Sequence, residues 1–401
     1  MRFDLVFEGG GAKGIAFVGA LQAFAAAGHN HSRLIGTSAG AVMATFLAAG
    51  YSATEMETAL TEQAMLFPSF LETPGPFSQQ EVDQSTYRRW LKLFDIPFLV
   101  ESLEERLDDM LLQQLLKSSQ FRHLFSLTEL GGWYAAENFM EWLRRNLDNG
   151  IFRGAPRRFS KMTLAEFFEV TRVHVTLIAA DTSGHNLLVL NHNTAPELPL
   201  VWAVRMSMSV PLLWQEVIWQ PAWGMYQNAN MAYRQIVDGG LLSNFPIELF
   251  ISDLPHVTAL MGPKGEDPIL GLLIDESQIV SGQPPTPSPQ SAASDTFPAL
   301  RRLRQLVDTS TQAHDKMVLD AFEHLVARLP AAGYGTTEFD MSADRRQALI
   351  DAGRSAMHNY FTGRDLAQAD ATQGPAPESG SQARAWADEV ADRLLSRAKP
   401  A

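Results

Sequence analysis

The sequence predicts an α/β fold with three layers, in which helices cover both faces of a mainly parallel central sheet. Short apolar runs alternate with segments of helical periodicity through the first 280 residues, a pattern typical of βαβ units. Among the 401 residues, 46% are hydrophobic and 19% are charged, which is ordinary for a globular protein and sufficient for a large core.

The individual elements follow from the apolar pattern. Predicted strands are Phe3–Phe7, a second strand ending at Arg33–Ile35, Val173–Ala180, Leu187–Asn191 and Pro268–Ile274. Predicted helices are Ile15–Ala27 and Ala41–Ala49, and the third and fourth strands are expected to form a hairpin around Asp181–Gly184. Apolar residues at three- and four-residue steps predict one further helix, at Val318, Ala321, Phe322, Leu325, Val326 and Leu329.

Two segments interrupt this pattern. Ser281–Asp295 has four prolines and no aliphatic side chain larger than alanine, so we expect a Pro/Ser-rich loop within a domain spanning residues 1–362. Residues 363–401 are predicted to form a C-terminal tail, with a flexible segment at 369–382 and a short helix at 383–398.

Charge and cysteine content exclude several classes of protein. Lys and Arg number 32 and Asp and Glu 45, and the net charge of −13 argues against a nucleic-acid partner. Cysteine is absent from the sequence, which excludes disulfide scaffolds, thiolate zinc sites and cysteine nucleophiles. No run of about 20 apolar residues predicts a membrane span. We therefore expect a cytoplasmic protein that contacts membranes only peripherally.

A glycine-rich loop, Gly9–Gly14, follows the first strand and matches the spacing of dinucleotide-binding loops. That function requires an acidic residue about 20 positions further on, and none occurs between Gly9 and Thr54. A phosphate-binding P-loop is also disfavoured, because Lys13 is followed by Gly14 rather than by Ser or Thr.

The second strand leads into Gly-Thr-Ser-Ala-Gly, with Ser38 between Gly36 and Gly40. A sharp strand-to-helix turn of this type holds the serine in a strained conformation and presents its hydroxyl at a helix N-terminus. Ser38 is therefore the candidate nucleophile. Because successive βα loops meet at one sheet edge, we expect the amides of Gly10, Gly11 and Ala12 to face Ser38 as oxyanion donors.

The candidate general base is Asp238, which follows an apolar approach and precedes Gly239 and Gly240. A carboxylate hydrogen-bonded to a serine can accept its proton without a histidine. Asp181 is a weaker candidate that fits an Asx turn, and His192 is the least implausible member of a triad. A metal pair formed by His29 and His31 is disfavoured, since both precede the second strand and lie at its far end from Ser38.

Together these segments resemble the patatin-like phospholipase family over roughly residues 1–362. The resemblance implies a Gly-rich oxyanion loop at Gly9–Gly14, a Ser38 nucleophile and Asp238 as the second member of a catalytic dyad. Further similar stretches are Val204–Val217, the Ser-Asn-Phe-Pro after the Asp-Gly-Gly, and the later segments QAHDKMV and YGTTEFDMS. Glu8 and Lys13 stand where the family often has Asp and Arg, which puts in doubt any specificity that depends on that arginine.

Aromatic residues are concentrated between residues 65 and 142, within a predicted helical cap at about 60–150. They are Phe67, Phe70, Phe77, Tyr87, Trp90, Phe94, Phe98, Phe121, Phe125, Trp133, Tyr134, Phe139 and Trp142. An apolar helical stripe accompanies them at Leu107, Met110, Leu111, Leu115 and Leu116. These side chains either complete the core or form an acyl pocket with an interfacial surface. Acidic residues nearby, from Glu101 to Asp109, would make membrane contact more hydrophobic than electrostatic.

The sequence thus predicts a serine hydrolase that cleaves acyl esters of membrane glycerolipids. Its partners would be a phospholipid or other acyl lipid and, transiently, a membrane surface. The dyad chemistry requires no metal or cofactor, and no calcium loop is evident. Two alternatives are a catalytically silent lipid-binding protein and a Rossmann-type nucleotide-binding protein.

Overall fold

A computed structural model describes residues 1–61, 70–93, 110–282, 321–371 and 379–396. Within these residues an eight-stranded sheet forms the centre of the molecule. Its strands, in spatial order, are β14 (Val326–Ala332), β13 (Ile269–Ile279), β1 (Arg2–Phe7), β2 (Asn30–Thr37), β6 (Val175–Asp181), β12 (Gln235–Asp238) and β9 (Val217–Ile218), and β7 (Asn186–Leu190) pairs with β6. Three two-stranded ladders lie outside it, at β3 (Gly132–Tyr134) with β8 (Leu212–Trp214), β4 (Ile151–Phe152) with β5 (Ala155–Pro156), and β10 (Met225–Tyr226) with β11 (Ala229–Asn230).

The strand directions confirm a mainly parallel sheet. β1 is parallel to β2 and β13, β2 is parallel to β6, and β13 is parallel to β14. The strands β7 and β12 are antiparallel to β6, and β9 is antiparallel to β12. The predicted hairpin is present as β6 and β7, and its turn contains Asp181–Gly184.

Helices cover both faces of the sheet. The described helices are α1 (Ala16–Ala26), α2 (Ala39–Ala48), α3 (Ala53–Thr61), α4 (Gln79–Gln84), α5 (Thr86–Leu93), α6 (Ser119–Glu129), α7 (Glu137–Asp148), α8 (Leu164–Thr171), α9 (Leu200–Met208), α10 (Glu248–Ile251), α11 (Pro255–Met261), α12 (Ala343–Ala371) and α13 (Ser379–Ser396). Phe7 of β1 packs in one core with α1, α2, α9 and α12, and the adjacent Val6 packs in the other with α10, α11 and α13. Successive residues of a strand point to opposite faces, so β1 is buried on both sides.

The helix predicted from Val318 to Leu329 is confirmed at Ala321 and Phe322 and is wrong from Val326 onwards. A short 3-10 helix, Glu323–Leu325, is followed directly by β14, which pairs in parallel with β13. The start of the predicted helix, including Val318, lies outside the described residues. A buried strand has apolar residues on both faces, and over a short run these cannot be distinguished from the apolar steps of a helix.

The C-terminal helix was predicted at 383–398 and is observed as α13. It packs against the domain: Ser252 Oγ donates to Asp388 at 2.6 Å, and Trp386 contacts Phe322 edge to face. Most of the predicted Pro/Ser-rich loop (residues 283–295) and residues 372–378 of the tail lie outside the described residues, and the division into domain and tail stays a prediction.

Strand register brings the candidate residues to one level of the sheet. Thr37 of β2 is opposite Ile178 of β6, and Asp238 of β12 is opposite the next residue of β6, Ala179. Although β12 is antiparallel to β6, it ends part-way along that strand. Asp238 therefore lies beside the turn that carries Ser38.

Candidate active site

Ser38 occupies a sharp turn between β2 and α2, with φ 54° and ψ −123°. The turn depends on glycine on both sides. A Cβ at Gly36 would lie 2.2 Å from the carbonyl oxygen of Gly40, and one at Gly40 would lie 2.4 Å from that of Phe7. The predicted strained, glycine-dependent turn is therefore present, as nucleophilic serines of this type require.

The Ser38 side chain is buried, and its backbone amide and its hydroxyl both contact residues at the C-terminal end of α9. Its backbone N–H donates to Ser207 Oγ at 3.0 Å. Its hydroxyl contacts Met208 Sδ at 3.8 Å, a weak hydrogen bond. In this arrangement the nucleophile is held against a thioether rather than against a strong base.

Asp238 ends β12 and is also buried. Its Oδ1 accepts a 2.8 Å hydrogen bond from Gly240 N–H, whereas Oδ2 has no hydrogen-bond partner among the described residues. Burial raises the pKa of Asp238 to about 7, and the nearby Ser38 hydroxyl and the Gly240 amide oppose this increase. The Ser38 hydroxyl is thus close enough to the Asp238 carboxylate to affect its pKa, although the same hydroxyl also contacts Met208 Sδ. A buried carboxyl with a pKa near neutrality is suited to general-base chemistry.

The C-terminal end of α9 and the next residue, Ser209, connect the two candidate catalytic groups. Ser207 accepts from Ser38 N–H, and the Ser209 carbonyl accepts from Asp238 N–H at 2.8 Å. Arg205 supports this segment by donating to Ser209 Oγ and, at 2.8 Å, to the Gln215 carbonyl. Burial lowers the pKa of Arg205 to about 10, against the opposing effect of two carboxylates. The sequence does not single out Arg205, Ser207 or Ser209 as functional residues. The one signal that includes them is the similarity of Val204–Val217 to the family.

The glycine loop lies against the nucleophile. Asn244 Nδ2 donates to the Gly9 carbonyl at 3.0 Å and to Glu8 Oε1 at 3.2 Å, and Gly9 N–H donates to the Asn244 carbonyl at 3.1 Å. A Cβ at Gly9 would be only 3.0 Å from Ser38 Cβ and 2.2 Å from Asn244 Oδ1. Asn244 therefore holds the loop close to Ser38, a role that the sequence alone did not reveal.

The three predicted oxyanion donors differ in the structure. Gly10 and Gly11 amides donate no hydrogen bond to any described residue. The Ala12 amide, in contrast, donates to the Thr336 carbonyl at 2.8 Å. The expectation that Ala12 offers a free donor is therefore wrong for this conformation, because the segment after β14 crosses the loop at this point.

An apolar cleft opens beside Ser38 and contains about 620 Å³ of empty space, including the space at its mouth. The residues that line it come from the glycine loop, α2, the cap, the end of α9 and the segment after β14. They are Gly11, Ala12, Gly14, Ile15, Ala39, Val42, Met43, Leu60, Phe70, Phe139, Trp142, Met208, Glu338, Phe339, Met341 and Arg346. Met208 belongs to both the cleft wall and the Ser38 contact. The cleft therefore begins next to the candidate nucleophile.

The sequence of the chain also matches a known family. The model for patatin-like phospholipase matches residues 5–251, more than half of the chain. The chain belongs to the patatin-like phospholipase family. The match includes Ser38, Asp238 and the glycine loop.

Individual relatives of this patatin-like chain are distant. It is 25% identical over 361 residues to the uncharacterized protein YqhO of Bacillus subtilis strain 168, covering 88% of this chain and 96% of YqhO. Among solved structures, VipD from Legionella pneumophila has a TM-score of 0.46 at 15% identity, covering 90% of this chain and 67% of VipD. ExoU in its complex with SpcU from Pseudomonas aeruginosa has a TM-score of 0.37 at 17% identity, covering 99% of this chain and 60% of the other. The chain thus spans about two thirds or less of these solved chains.

The weaker candidates for a catalytic role, Asp181 and His192, contact residues other than Ser38 and Asp238 in this patatin-like structure. Asp181 accepts from Gly184 N–H, three residues further on, at 2.9 Å and pairs with Arg234 at 2.7 Å, so its carboxylate is engaged within the hairpin turn. His192 stacks on Phe168 with ring centroids 3.7 Å apart, and burial, together with His174, lowers its pKa to about 4. Among the described residues, neither Ser38 nor Asp238 hydrogen-bonds to a histidine.

The remaining loop residue, Lys13, is buried and forms an ion pair with Glu276 of β13. His29 packs against Phe3, Phe24 and Phe361 at the end of the sheet remote from Ser38. Across the described ranges, no group of three or more His, Asp or Glu side chains is arranged to hold a metal ion.

The predicted cap is mainly helical where it is described, although it also contains strand β3 (Gly132–Tyr134), and several of its aromatic residues form two groups. Phe70, Phe139 and Trp142 line the cleft, whereas Phe77, Tyr87, Phe121 and Phe125 pack against one another. Phe67, Phe94, Phe98, the Trp90 side chain, Leu107 and the acidic run Glu101–Asp109 lie outside what the structure describes. Of the apolar stripe, Met110 and Leu111 are 68% and 50% exposed. No helix within the described residues is long and apolar enough to cross a membrane.

Proposed function

We propose that this protein is a lipid acyl hydrolase that cleaves ester bonds of membrane glycerolipids through Ser38 and Asp238. Family membership supports a lipid acyl hydrolase in general terms. The observation that carries the specific proposal is a strained serine beside a buried carboxyl of raised pKa, at the start of an apolar cleft. Catalytic acids and bases are commonly tuned in this way.

In the proposed reaction, Asp238 accepts the Ser38 proton as Oγ attacks the ester carbonyl carbon. The carbonyl oxygen gains negative charge, and the free amides of Gly10 and Gly11 donate to it. The C–O bond to the alcohol then breaks, and the proton held by Asp238 passes to the departing alkoxide. Water repeats the sequence on the acyl-serine, releasing the fatty acid and restoring Ser38.

The cleft is suited to an acyl chain. Its walls are mainly aliphatic and aromatic, and its opening lies beside Ser38, so the ester carbonyl would sit near the nucleophile while the chain is shielded from water. Exposed Met110, Leu111 and Leu115 in the cap would provide a hydrophobic contact with a membrane surface. Peripheral membrane contact and a cytoplasmic location remain parts of the proposal.

A catalytically silent lipid-binding protein is the second candidate, and two contacts favour it. The Ala12 amide is occupied by Thr336, and the Ser38 hydroxyl is directed to Met208. Both contacts are single and local, so small movements of the segment after β14 and of the Met208 side chain would release them.

Labelling with an alkyl fluorophosphonate and lipidomic analysis of lipid incubations would distinguish the two functions. We expect the wild type to form a covalent adduct at Ser38 and to release fatty acids. Ser38→Ala should abolish the adduct and lower turnover by at least about 10³-fold, with an unchanged melting temperature. Ser252→Ala is the matched control, because Ser252 is a buried serine that hydrogen-bonds outside the site. Wild-type protein that binds lipid but forms no adduct would favour the silent function.

A further inference from the structure

Two of the described residues that line the cleft carry a charge, Glu338 and Arg346. They follow β14 and lie at the side of the cleft formed by residues 338–346. An apolar acyl chain makes no favourable electrostatic contact with either charged side chain, so the presence of Glu338 and Arg346 requires a separate explanation.

Glu338 is neutralised within the protein. Arg345 donates to both of its carboxylate oxygens, at 2.7 Å to Oε1 and 3.1 Å to Oε2, and Gly335 N–H donates to Oε2 at 3.0 Å. The Arg345 guanidinium also lies over the Tyr334 ring, 4.1 Å from its centroid. Glu338 and Arg345 thus form a local structural pair that stabilises the segment.

Arg346 has no such compensation among the described residues. One guanidinium nitrogen donates to the Met341 carbonyl, and no described carboxylate lies within ion-pair distance. An arginine has five N–H donors, so most of them remain available. The side chain lines the cleft and is half-buried, so it contacts both the cleft and solvent.

The position of Arg346 relative to the reacting ester follows from its segment. Thr336, at the start of this segment, contacts the glycine loop through Ala12 N–H at 2.8 Å, and Phe339 and Met341 line the cleft. A lipid whose ester lies at Ser38 and whose chain fills the cleft would therefore have its polar part near the cleft mouth. A planar guanidinium fork matches the geometry of phosphate oxygens.

We propose that Arg346 binds the phosphate of a glycerophospholipid and makes the enzyme prefer phosphorylated glycerolipids over neutral acylglycerols. This inference rests on the proposed hydrolase function and adds a specificity-determining residue to it. Among the described residues that line the cleft, Arg346 is the charged group without an ion-pair partner, and a neutral diacylglycerol offers it no anionic oxygen. The preference should therefore depend on one side chain.

Two soluble substrates with the same short acyl chains provide the test, dihexanoyl glycerophosphoglycerol and dihexanoylglycerol. We expect Arg346→Gln to lower kcat/KM about 10-fold for the phosphorylated substrate, mainly through KM, and to change it less than about twofold for the neutral one. Arg346→Lys should recover part of the loss, since it keeps the charge but not the fork. Arg144→Gln is the control, because Arg144 is an exposed arginine of α7 outside the cleft lining.

A binding measurement separates this inference from the proposed hydrolase function. Non-hydrolysable diether analogues of both lipids would be titrated into Ser38→Ala protein with and without Arg346→Gln, and melting temperatures would verify folding. Weaker binding of the phosphorylated analogue alone would support the role of Arg346, even if the wild type hydrolysed nothing. Equal losses for both lipids, or no loss for either, would overturn it while leaving an active hydrolase intact.

Discussion

The Ser38 backbone amide donates a 3.0 Å hydrogen bond to the Ser207 hydroxyl. Two residues later, the Ser209 carbonyl accepts the amide of Asp238 at 2.8 Å. A single short segment at the C-terminal end of α9 therefore fixes the backbone of both members of the proposed dyad. Its own position depends on buried Arg205, which donates to Ser209 Oγ.

Ser207→Ala should therefore impair catalysis without removing a reacting group. The Ser38 N–H would lose its acceptor in a buried position, which costs about 1–3 kcal/mol. Because the Ser38 turn is strained, we expect it to relax and turnover to fall by about 10-fold, measured as kcat on a chromogenic ester. Ser252→Ala removes a comparable buried acceptor, 3.3 Å from the Leu254 amide, and should affect stability alone. Similar activities of the two variants would contradict a positioning role for Ser207.

The pH dependence of activity should report the Asp238 carboxyl. Burial raises its pKa to about 7, and only the deprotonated form can accept the Ser38 proton. We expect kcat/KM to rise with pH, to be half-maximal near pH 7 and to level off above it. His192→Ala should leave this profile unchanged, because His192 contacts Phe168 and His174 rather than the dyad. A shift of the profile in that variant would indicate a triad.

Asp238→Asn should lower turnover nearly as much as Ser38→Ala, since an amide cannot accept the proton. The double variant should be no slower than either single variant, as expected for residues that act as a unit. Multiplicative losses in the double variant would show that Asp238 has a separate role.

The same substitution should have a pH-dependent effect on stability. The folded pKa of Asp238 lies above its ordinary value of 3.8, so the folded state binds this proton more tightly than the unfolded state. The stability contributed by Asp238 is present at low pH and is lost as pH rises from about 4 to about 7. The melting temperature of Asp238→Asn relative to wild type should therefore be higher at pH 8 than at pH 5. An equal difference at both values would mean that the carboxyl is not destabilised by burial.

Gly10→Ala is the sharper test of the oxyanion loop. Gly10 has an extended φ of −162°, and its added Cβ would meet the mobile end of Ile274, Cδ1, at 2.2 Å. The fold should tolerate it, whereas displacement of the amide should lower turnover by about 10²-fold. Gly11→Ala is less informative, because φ is +54° and the Cβ would lie 2.1 Å from the Thr336 carbonyl oxygen. Fluorophosphonate labelling of Gly10→Ala at the wild-type rate would move the oxyanion donors elsewhere.

Local pattern was sufficient for the elements around the nucleophile. The predicted strand Phe3–Phe7 is β1, and the predicted helix Ala41–Ala49 is α2 within one or two residues at each end. The turn at Ser38 was predictable because only glycine permits the close backbone approaches at positions 36 and 40. These features depend on residues adjacent in the chain, and their physical requirements are visible in the sequence.

Pairing between distant segments was not predictable in the same way. β14 looked helical because its apolar steps do not reveal that it pairs with β13, about 55 residues earlier in the chain. Asn244 and Arg205 gave no signal of their own, since their roles lie in hydrogen bonds to the glycine loop and to Ser209. Such contacts are set by where the completed sheet places each segment.

The sequence by itself determined the strained Ser38 turn, the glycine loop and the Asp-Gly-Gly that carries Asp238. Only the tertiary structure decided which loop amides are free, because Thr336, more than 300 residues beyond the loop, occupies the amide of Ala12. It also decided the pKa of Asp238, which follows from complete burial. The tertiary structure also decided the cleft, since its walls come from five separate parts of the chain. Burial and long-range contacts exist only once the chain has folded, whereas backbone strain is fixed by neighbouring residues.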